Sequence, residues 1–464
     1  MYGKKFDLNI EKILEDWEVY HAIREVIANA IDEEILTGTK NIEIYKDKRK
    51  WHVRDFGRGL RYEHLTQKED EEKLSNPNVI GKFGIGLKDS LATFDRKGVK
   101  VLIKTKYGDI TLDKSEKHDF EDLITLHAII NPPSEKDLVG TDFVIDGCTN
   151  KDMEKAKALF LRFSGDKKLE ETQYGEVLEK KGELSKIYIN GVRVAEEDNF
   201  LFSYNITSLT KAIKKALNRE RTNVGRAAYS GRVKSILLAC QSKPIAKFLV
   251  DDLKGFTAGT THDELKWLDV SVHACQLLSS MEKVVFFTPE ELMYAADMVN
   301  KARSDGYEII PIPESIKGKI KGLKDASGKT MLDLDQFRVE WNESFEFNFI
   351  DKKDLTKQER KIFEMTDKIL GFVGGKPKQV KVIKISETMR LETHSFAEAA
   401  GLWDASTGTV IIKRNQLKNL RNYAGTLLHE ITHVKSGASD ISSRFEQHLT
   451  FVIGSIISKI LNQK

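Results

Sequence analysis

Hydrophobic and polar positions along the first 150 residues follow a helical pattern and then several strand-like ones. Apolar residues recur at helical spacing over residues 8–38, which predicts a helix. The segments NIEIYKDKRKWHVRDFGRGL, VKVLIKTKYGDITL, LITLHAIINPP and GTDFVIDG contain strand-like runs, and the first indicates two strands joined by a charged turn. We therefore predict one α/β layer domain over residues 1–150.

The rest of the chain shows three further regions of mixed pattern. Residues 151–275 combine the strand and turn SKIYINGVRV with helical segments, and residues 276–345 give strand, helix and strand, with a helix long enough for a parallel crossover. Residues 346–464 contain the strands QVKVIKIS and TVIIKR before two C-terminal helices, the last from about Ser442 to Leu461. We predict an α+β multidomain chain with domains at these borders.

Composition narrows the classes of protein that fit. Hydrophobic residues make up 40% and charged residues 31%, as in globular proteins, and the formal net charge of +3 gives no overall attraction to nucleic acid. The three cysteines, Cys148, Cys240 and Cys275, are far apart and form no CxxC pair, so we expect a reducing cytoplasm.

The N-terminus lacks the apolar core of a signal peptide. The best membrane candidate, LTFVIGSIISKIL, has about 13 residues where a spanning helix needs roughly 20, so we expect no membrane partner.

Three polar residues of EVIANAID share one side of the first predicted helix. Glu25 and Asn29 are four residues apart, and Asp32 follows three residues later. Mg²⁺ prefers oxygen ligands, so Asn29 could bind it beside phosphates while Glu25 polarises an attacking water. The pattern predicts a carboxylate and a carboxamide that converge on one site.

Two glycine-containing motifs follow in the chain. In DFGRGL, Asp55 could accept a hydrogen bond from an amine, and glycines allow the backbone to approach a flat ring. In GKFGIGLKDS, three glycines precede a helix, an arrangement suited to phosphate binding by backbone amides. Each motif alone is more often a simple turn, whereas their order and spacing favour a nucleotide site. The glycines of these motifs are Gly57, Gly59, Gly81, Gly84 and Gly86.

Together these motifs resemble those of the GHKL ATPases, the family of DNA gyrase, MutL, the ninety-kilodalton heat-shock chaperones and the histidine kinases, over roughly residues 8–150. The resemblance implies a Bergerat-type α/β sandwich that binds ATP and Mg²⁺, with RYEHLTQKEDEEKLSNPNVI as the ATP lid. It implies Glu25 as the general base, Asn29 on Mg²⁺, and Asp55 and Thr141 at the adenine. The residues that it assigns to the nucleotide are Asn29, Asp32, Asp55, Gly57, Gly59, Gly81, Gly84, Gly86, Lys88 and Thr141.

The region after the ATPase-like motifs contains a basic segment. SKIYINGVRV resembles the strand and turn of the transducer domain of gyrase and MutL, in which a basic residue reaches the γ-phosphate. Arg219, Arg221 and Arg226 are candidates for that role. The segment Lys211–Lys234 predicts either a phosphate or nucleic-acid surface or a solvated helix face.

The segment LLHEITHVKSGASD indicates a zinc site near the C-terminus. His429 and His433 lie four residues apart on one helix face, and Glu430 beside them is positioned as a base for water. Gly437 can end the helix, so the third ligand must come from beyond it. Glu446 on the next helix is our predicted third ligand, with Asp440 and His448 as alternatives, and Asp440 also fits an N-cap or a hydrogen-bond partner of a ligating histidine.

This layout resembles the gluzincins, zinc peptidases with HExxH on one helix and a glutamate ligand on a following one. The resemblance covers about residues 350–464 and implies a zincin-like domain in which TVIIKR pairs with an extended substrate. A structural zinc is the alternative, although such sites usually have four protein ligands rich in cysteine.

The two ends of the chain predict an enzyme with two chemistries. We expect a GHKL ATPase whose nucleotide state governs a zinc-dependent peptidase, with a protein substrate, cofactors ATP, Mg²⁺ and Zn²⁺, and ATP-dependent homodimerisation. The alternative is a nucleic-acid-associated ATP clamp like MutL, binding through Lys211–Lys234, with the zincin part as a non-catalytic scaffold.

Overall fold

The computed structural model describes residues 3–8, 16–65, 71–76, 79–81, 86–117, 120–217, 224–392 and 397–462. The chain forms two compact units, Met1–Leu278 and Ser279–Lys464, and both mix helices with sheets. The fold is therefore mixed α/β, as predicted. The finer division into four domains stays a prediction.

The first part of unit 1 is an antiparallel sheet with helices packed on it. Its described strands run in the order β1-β6-β5-β4-β7-β3-β2, and every neighbouring pair is antiparallel. The strands are β1 (Lys4–Asp7), β2 (Glu43–Asp47), β3 (Lys50–Arg54), β4 (Lys100–Thr105), β5 (Gly108–Lys117), β6 (Phe120–Asn131) and β7 (Thr141–Asp146). The helices are α1 (Val19–Thr37), α2 (Glu71–Ser75) and α3 (Gly86–Arg96). Helices α1 and α3 pack on each other, and Val26, Leu91 and Ile145 lie in their shared core with the sheet.

Helix α1 begins later than the sequence pattern predicted. Glu18 is its N-cap, in a reciprocal capping box with His21, and Gly38 ends it in the left-handed conformation with its N–H on the Glu34 carbonyl oxygen. Residues 16–18 are not helical, and Lys4–Asp7 pairs with β6 as an edge strand, so the predicted helical start at residue 8 was wrong. The predicted strands between residues 41 and 147 are confirmed.

The second part of unit 1 contains a mixed sheet in the order β11-β10-β12-β9-β8. Asn190 and Gly191 both have positive φ, as the tight β10–β11 turn requires. Its strands are β8 (Lys168–Thr172), β9 (Gly175–Leu178), β10 (Ser185–Ile189), β11 (Val192–Glu197) and β12 (Ser203–Ile206). Its helices are α4 (Asn150–Lys157), α5 (Leu161–Ser164), α6 (Lys211–Ala216), α7 (Arg226–Ala239), α8 (Lys243–Leu253) and α9 (Leu268–Met281). Helices α7 and α8 pack against this sheet.

Unit 2 contains two small sheets with separate cores. Strands β13 (Val284–Phe287) and β14 (Glu308–Pro311) are parallel, which confirms the predicted crossover, and helices α10 (Pro289–Tyr294) and α11 (Ala296–Ser304) connect them. The other sheet runs β15-β16-β18-β17, with β15 (Phe349–Ile350), β16 (Val382–Ser386), β17 (Gly401–Asp404) and β18 (Thr409–Lys413). The remaining helices are α12 (Glu314–Ile320), α13 (Leu334–Ser344), α14 (Lys357–Phe363), α15 (Thr366–Phe372), α16 (Leu420–Ser436) and α17 (Ser443–Leu461).

The HExxH helix, α16, packs across the second sheet of unit 2. Tyr423, Leu427 and Ile431 are fully buried against Val410 and Ile412 of β18. Among the described residues, no helix combines the length and the apolar character that crossing a bilayer requires.

Candidate functional site

The first predicted site in unit 1 lies along helix α1. Glu25 and Asp32 are buried and Asn29 is partly buried, as expected for residues spaced four and three apart on one side of a helix. Glu25 Oε1 accepts a hydrogen bond from Arg24 Nε at 3.0 Å, and Arg24 is itself buried. The predicted base is therefore a carboxylate held beside a buried guanidinium.

Asp32 connects α1 to the third motif. Its carboxylate accepts the backbone N–H groups of Ile80 at 2.5 Å and Gly81 at 2.7 Å. Two backbone hydrogen bonds to one buried carboxylate fix the start of the glycine loop against the helix. Gly84 lies outside the described residues.

Gly86, the last glycine of that motif, lies directly against Glu25. A Cβ atom at Gly86 would lie 2.1 Å from Glu25 Oε2, so only glycine fits there without moving the carboxylate. The described part of α3 begins at Gly86. The predicted base and the predicted phosphate-binding loop thus meet in the fold, although they are about 60 residues apart in sequence.

Lys88, also assigned to the nucleotide, lies elsewhere. Lys88 belongs to α3 and is buried, and its Nζ contacts the Leu8 carbonyl oxygen at 3.4 Å. Burial lowers the pKa of Lys88, and the charges of Asp7 and Asp89 oppose that effect. The described contacts do not bring Lys88 to Glu25 or Asn29.

The second motif and the predicted adenine-facing threonine come together at the start of β7. Asp55 is buried, and its Oδ1 accepts the N–H groups of Gly57 at 2.9 Å and Thr141 at 3.3 Å. Gly140 has a φ of +83°, and a Cβ there would lie 2.0 Å from the Asp55 carbonyl oxygen. Gly59 has a φ of +86° and adjoins the Gly140 carbonyl oxygen.

The environment of Asp55 disfavours its charge. Burial raises the pKa of Asp55 to about 6, and the charge of Glu33 adds to this effect. The hydrogen bonds from Gly57 and Thr141 act in the opposite direction. Asp55 is thus a buried carboxyl group at the place where the resemblance puts an acceptor for the adenine amine.

Ion pairs tie helix α2, inside the predicted lid, to this site. Arg58 donates to both oxygens of Glu33, at 2.9 and 3.0 Å, and to Glu72 of α2 at 2.8 Å. Lys73 Nζ lies 3.4 Å from Asn29 Oδ1 and 3.5 Å from an Asp32 oxygen. The sequence patterns did not indicate this lysine, which holds a positive charge where the resemblance puts Mg²⁺.

Two basic residues of the described part of the basic segment form ion pairs within unit 1. Arg226 pairs with Asp263 at 2.5 Å and with Glu197 at 3.5 Å, and Lys234 pairs with Asp269 at 2.8 Å. Of the three candidate γ-phosphate residues, Arg219 and Arg221 lie outside the described residues. The lysines that are exposed on α6 are Lys211, Lys214 and Lys215.

Three atoms of the kinds that bind metal ions converge at the end of helix α16. Asp440 Oδ1 lies 2.8 Å from His429 Nε2 and 3.1 Å from His433 Nε2, and the two imidazole nitrogens are 3.2 Å apart. Any two ligands of a tetrahedral zinc ion with bonds of about 2.0–2.1 Å are about 3.3 Å apart. The donor set therefore fits zinc in type and in spacing, and it leaves a coordination position for water or substrate.

Local structure fixes the orientation of these ligands. Asn419 caps the start of α16, and Gly437 ends it in the left-handed conformation, so the chain turns back at once. His433 Nδ1 donates to the Ala438 carbonyl oxygen at 2.8 Å, which leaves Nε2 as the nitrogen that can bind a metal. Phe445 packs against both imidazole rings, with centroid distances of 4.9 Å to His429 and 4.4 Å to His433.

The structure brings Asp440, and not Glu446, to the two histidines. Glu446 is exposed in the first turn of α17, and it does not belong to the converging set. Phe445 occupies the position against the imidazoles from that helix, while the short connection after Gly437 returns Asp440 to them. Ser442, not Asp440, caps α17. Of the candidates for the third ligand, the geometry therefore favours Asp440, our alternative, over Glu446.

Glu430 lies against the edge strand β17. A Cβ at Gly401 would lie 2.7 Å from Glu430 Oε1, and the backbone N–H of Trp403 donates to the Glu430 carboxylate. Burial raises the pKa of Glu430 to about 8, and the charge of Asp440 adds to this effect. A bound divalent cation would favour the ionised form instead.

The strand that we predicted to pair with a substrate is not an edge strand. TVIIKR forms β18, which is paired on both sides, with β16 and with β17. Strand β17 is at the edge of the sheet, so its outer backbone groups are the ones that face Glu430. The signal that we missed is GLWDASTGTV, two short apolar runs around a polar turn.

Comparisons with known proteins relate the chain to proteins of Mycoplasma pneumoniae (strain ATCC 29342 / M129). Residues 151–243 match the family model described as "Mycoplasma pneumoniae MPN635 N-terminal domain". One M. pneumoniae protein, described as uncharacterized, is 39% identical over 242 residues, which are 51% of this chain and 98% of that protein. A second is 24% identical over 349 residues, which are 69% of this chain and 96% of that protein. Since this chain spans nearly all of the first relative at that identity, it belongs to the same family as that M. pneumoniae protein.

Proposed function

We propose that unit 2 is a zinc-dependent peptidase and that unit 1 binds and hydrolyses ATP, with the nucleotide state regulating the peptidase. The observation that carries this proposal is the convergence of three zinc-type ligand atoms, from His429, His433 and Asp440, beside the buried carboxylate of Glu430. The likeness to a zincin domain and to a Bergerat-type ATPase is part of the same proposal.

In the peptidase, the two histidines and Asp440 would hold zinc, which would supply Lewis acidity to a water molecule and to a substrate carbonyl. Glu430 accepts the proton of the attacking water and delivers it to the leaving amine. The outer edge of β17 adjoins Glu430, so an extended peptide can add to this edge with its scissile bond near the base. A structural zinc is less well supported, because the described cysteines are buried elsewhere and the set has only three protein ligands.

In the ATPase, Glu25 activates water, Asn29 binds Mg²⁺, and Asp55 with Thr141 contacts the adenine. The support is that these motifs meet in the fold: Gly86 lies against Glu25, and Gly57 and Thr141 donate to Asp55. A nucleic-acid clamp remains the alternative, and the exposed lysines of α6 favour it, whereas the ion pairs of Arg226 and Lys234 weaken it. A salt titration of oligonucleotide binding distinguishes the two, because phosphate contacts give a steep salt dependence.

The test of the peptidase compares zinc-loaded full-length wild type with Glu430→Gln on a denatured protein substrate. Glu430→Gln should retain zinc, measured by metal analysis, and lose at least about 100-fold in cleavage rate, since it keeps the ligands and removes the base. Wild type that binds zinc but cleaves no denatured protein or peptide would make the site structural.

The test of the ATPase uses Glu25→Ala. This variant should abolish hydrolysis and leave ATP binding largely intact, because the base acts mainly in the transition state. An equal loss of ATP binding counts against Glu25 as the general base.

The test of the regulation compares cleavage rates without nucleotide, with ATP and with ADP. Identical rates in the three states would refute the regulation, even where both sites work alone.

A further inference from the structure

The last helix, α17, buries only one of its faces. Phe445 and Val452 are buried where α17 packs against α15 and α16, and Lys459 Nζ donates to the Gly371 carbonyl oxygen at 2.6 Å. These residues define the side that unit 2 covers. The opposite side carries large apolar residues.

The uncovered side of α17 is rich in branched apolar residues. Its exposed residues are Phe451 (74%), Ile453 (56%), Ile457 (52%), Ile460 (52%) and Leu461 (69%). Their exposed area is on the order of 400 Å², as large as the largest apolar patches of typical monomers. Burial of this patch by another surface would be strongly favoured by the hydrophobic effect.

The spacing of this patch matches that of a two-helix interface. Ile453, Ile457 and Ile460 are separated by four and three residues, which is the interval at which one helix presents its side chains to a partner helix. Gly454 lies beside this row, and a Cβ there would have open space around it, so a second helix can approach closely. We call Ile453, Ile457, Ile460 and Leu461 the α17 seam.

We propose that the α17 seam is a dimer interface that pairs with the same seam of a second copy of this chain. The seam itself carries no charge, and an uncharged row of this kind is self-complementary across a two-fold axis. An interface of standard size removes about 800 Å² per partner, somewhat more than half of it apolar, so the seam supplies a large share of the required apolar area.

A membrane surface fits α17 less well than a second copy does. Helices that lie in a membrane interface carry a polar face rich in lysine and arginine, whereas the Lys and Arg residues of α17 are Arg444 and Lys459 alone. Lys459 is also engaged with the body of unit 2. The seam belongs to unit 2, so this association requires no nucleotide and does not depend on the function proposed above.

The first test measures mass by analytical ultracentrifugation of the full chain without nucleotide. Wild type should be a dimer at micromolar concentration, and Ile457→Glu should weaken the dimer at least about 100-fold, because it sets two like charges against each other in an apolar interface. The matched control is Ser458→Glu, which adds the same charge to the next exposed residue, outside the seam. Circular dichroism and urea unfolding establish that both variants fold.

The second test is cross-linking. The native cysteines are buried, so Ile457→Cys introduces a reactive thiol at the centre of the seam, and mild oxidation should join two copies. Ser458→Cys should cross-link much more slowly. A monomeric wild type at tens of micromolar, equal weakening by both glutamate variants, or vesicle binding that Ile457→Glu abolishes in a monomeric protein would each overturn the proposal.

Discussion

Substitution of Asp55 by asparagine should stabilise the folded protein at neutral pH while weakening nucleotide binding. In the folded state the pKa of Asp55 is raised to about 6, from a reference value of 3.8, because the side chain is buried. The folded state therefore binds a proton more tightly than the unfolded state. The contribution of Asp55 to stability is greatest below about pH 4, and it falls as the pH rises to about 6, where the buried carboxyl group ionises.

The size of this effect follows from the shift. A shift of about two pKa units corresponds to a loss of about 3 kcal/mol in the free energy of unfolding. This loss is complete above pH 6 and absent below pH 4. Asp55→Asn retains Oδ1, which accepts from Gly57 and Thr141, and removes the ionisation. We expect urea unfolding at pH 7.5 to show the variant as more stable by about 2–3 kcal/mol, with the difference shrinking toward pH 4. The exposed Asp113→Asn is the matched control. A variant that is less stable at pH 7.5, or a difference independent of pH, would refute this account.

Three further predictions concern the metal ligands and the lid. Asp440→Ala should weaken zinc binding by about 10²–10³-fold and Glu446→Ala by less than about twofold, as metal analysis would detect; the reverse order would restore Glu446 as the ligand. Gly401→Ala should keep zinc but lower cleavage by about 10²-fold, because its Cβ would lie 2.7 Å from Glu430 Oε1 and displace the base; an unchanged rate would show that Glu430 adapts. Lys73→Ala should lower the Mg²⁺ concentration for half-maximal ATP hydrolysis by up to about fivefold, because an ammonium group no longer competes for the same oxygens, and a higher requirement would assign Lys73 to phosphate binding.

The sequence alone determined the features that local geometry controls. The i, i+4 spacing of His429 and His433 brings their imidazoles together on any α-helix, and Gly437 ends that helix because it readily adopts the left-handed conformation. The alternating patterns likewise predicted most strands of the first sheet. In the second sheet, the pair Asn190 and Gly191 predicted the turn between β10 and β11. These features depend on residues only a few positions apart.

Tertiary structure decided which distant groups meet. Asp440, and not Glu446, lies beside the two histidines, while Phe445 packs against their imidazoles, and no spacing along the chain encodes that arrangement. The approach of Gly86 to Glu25 depends on the packing of α3 on α1, and the proposed role of β17 depends on its place at the edge of its sheet. Such contacts join residues from separate elements, so they are fixed by the shared core and not by the periodicity of either element.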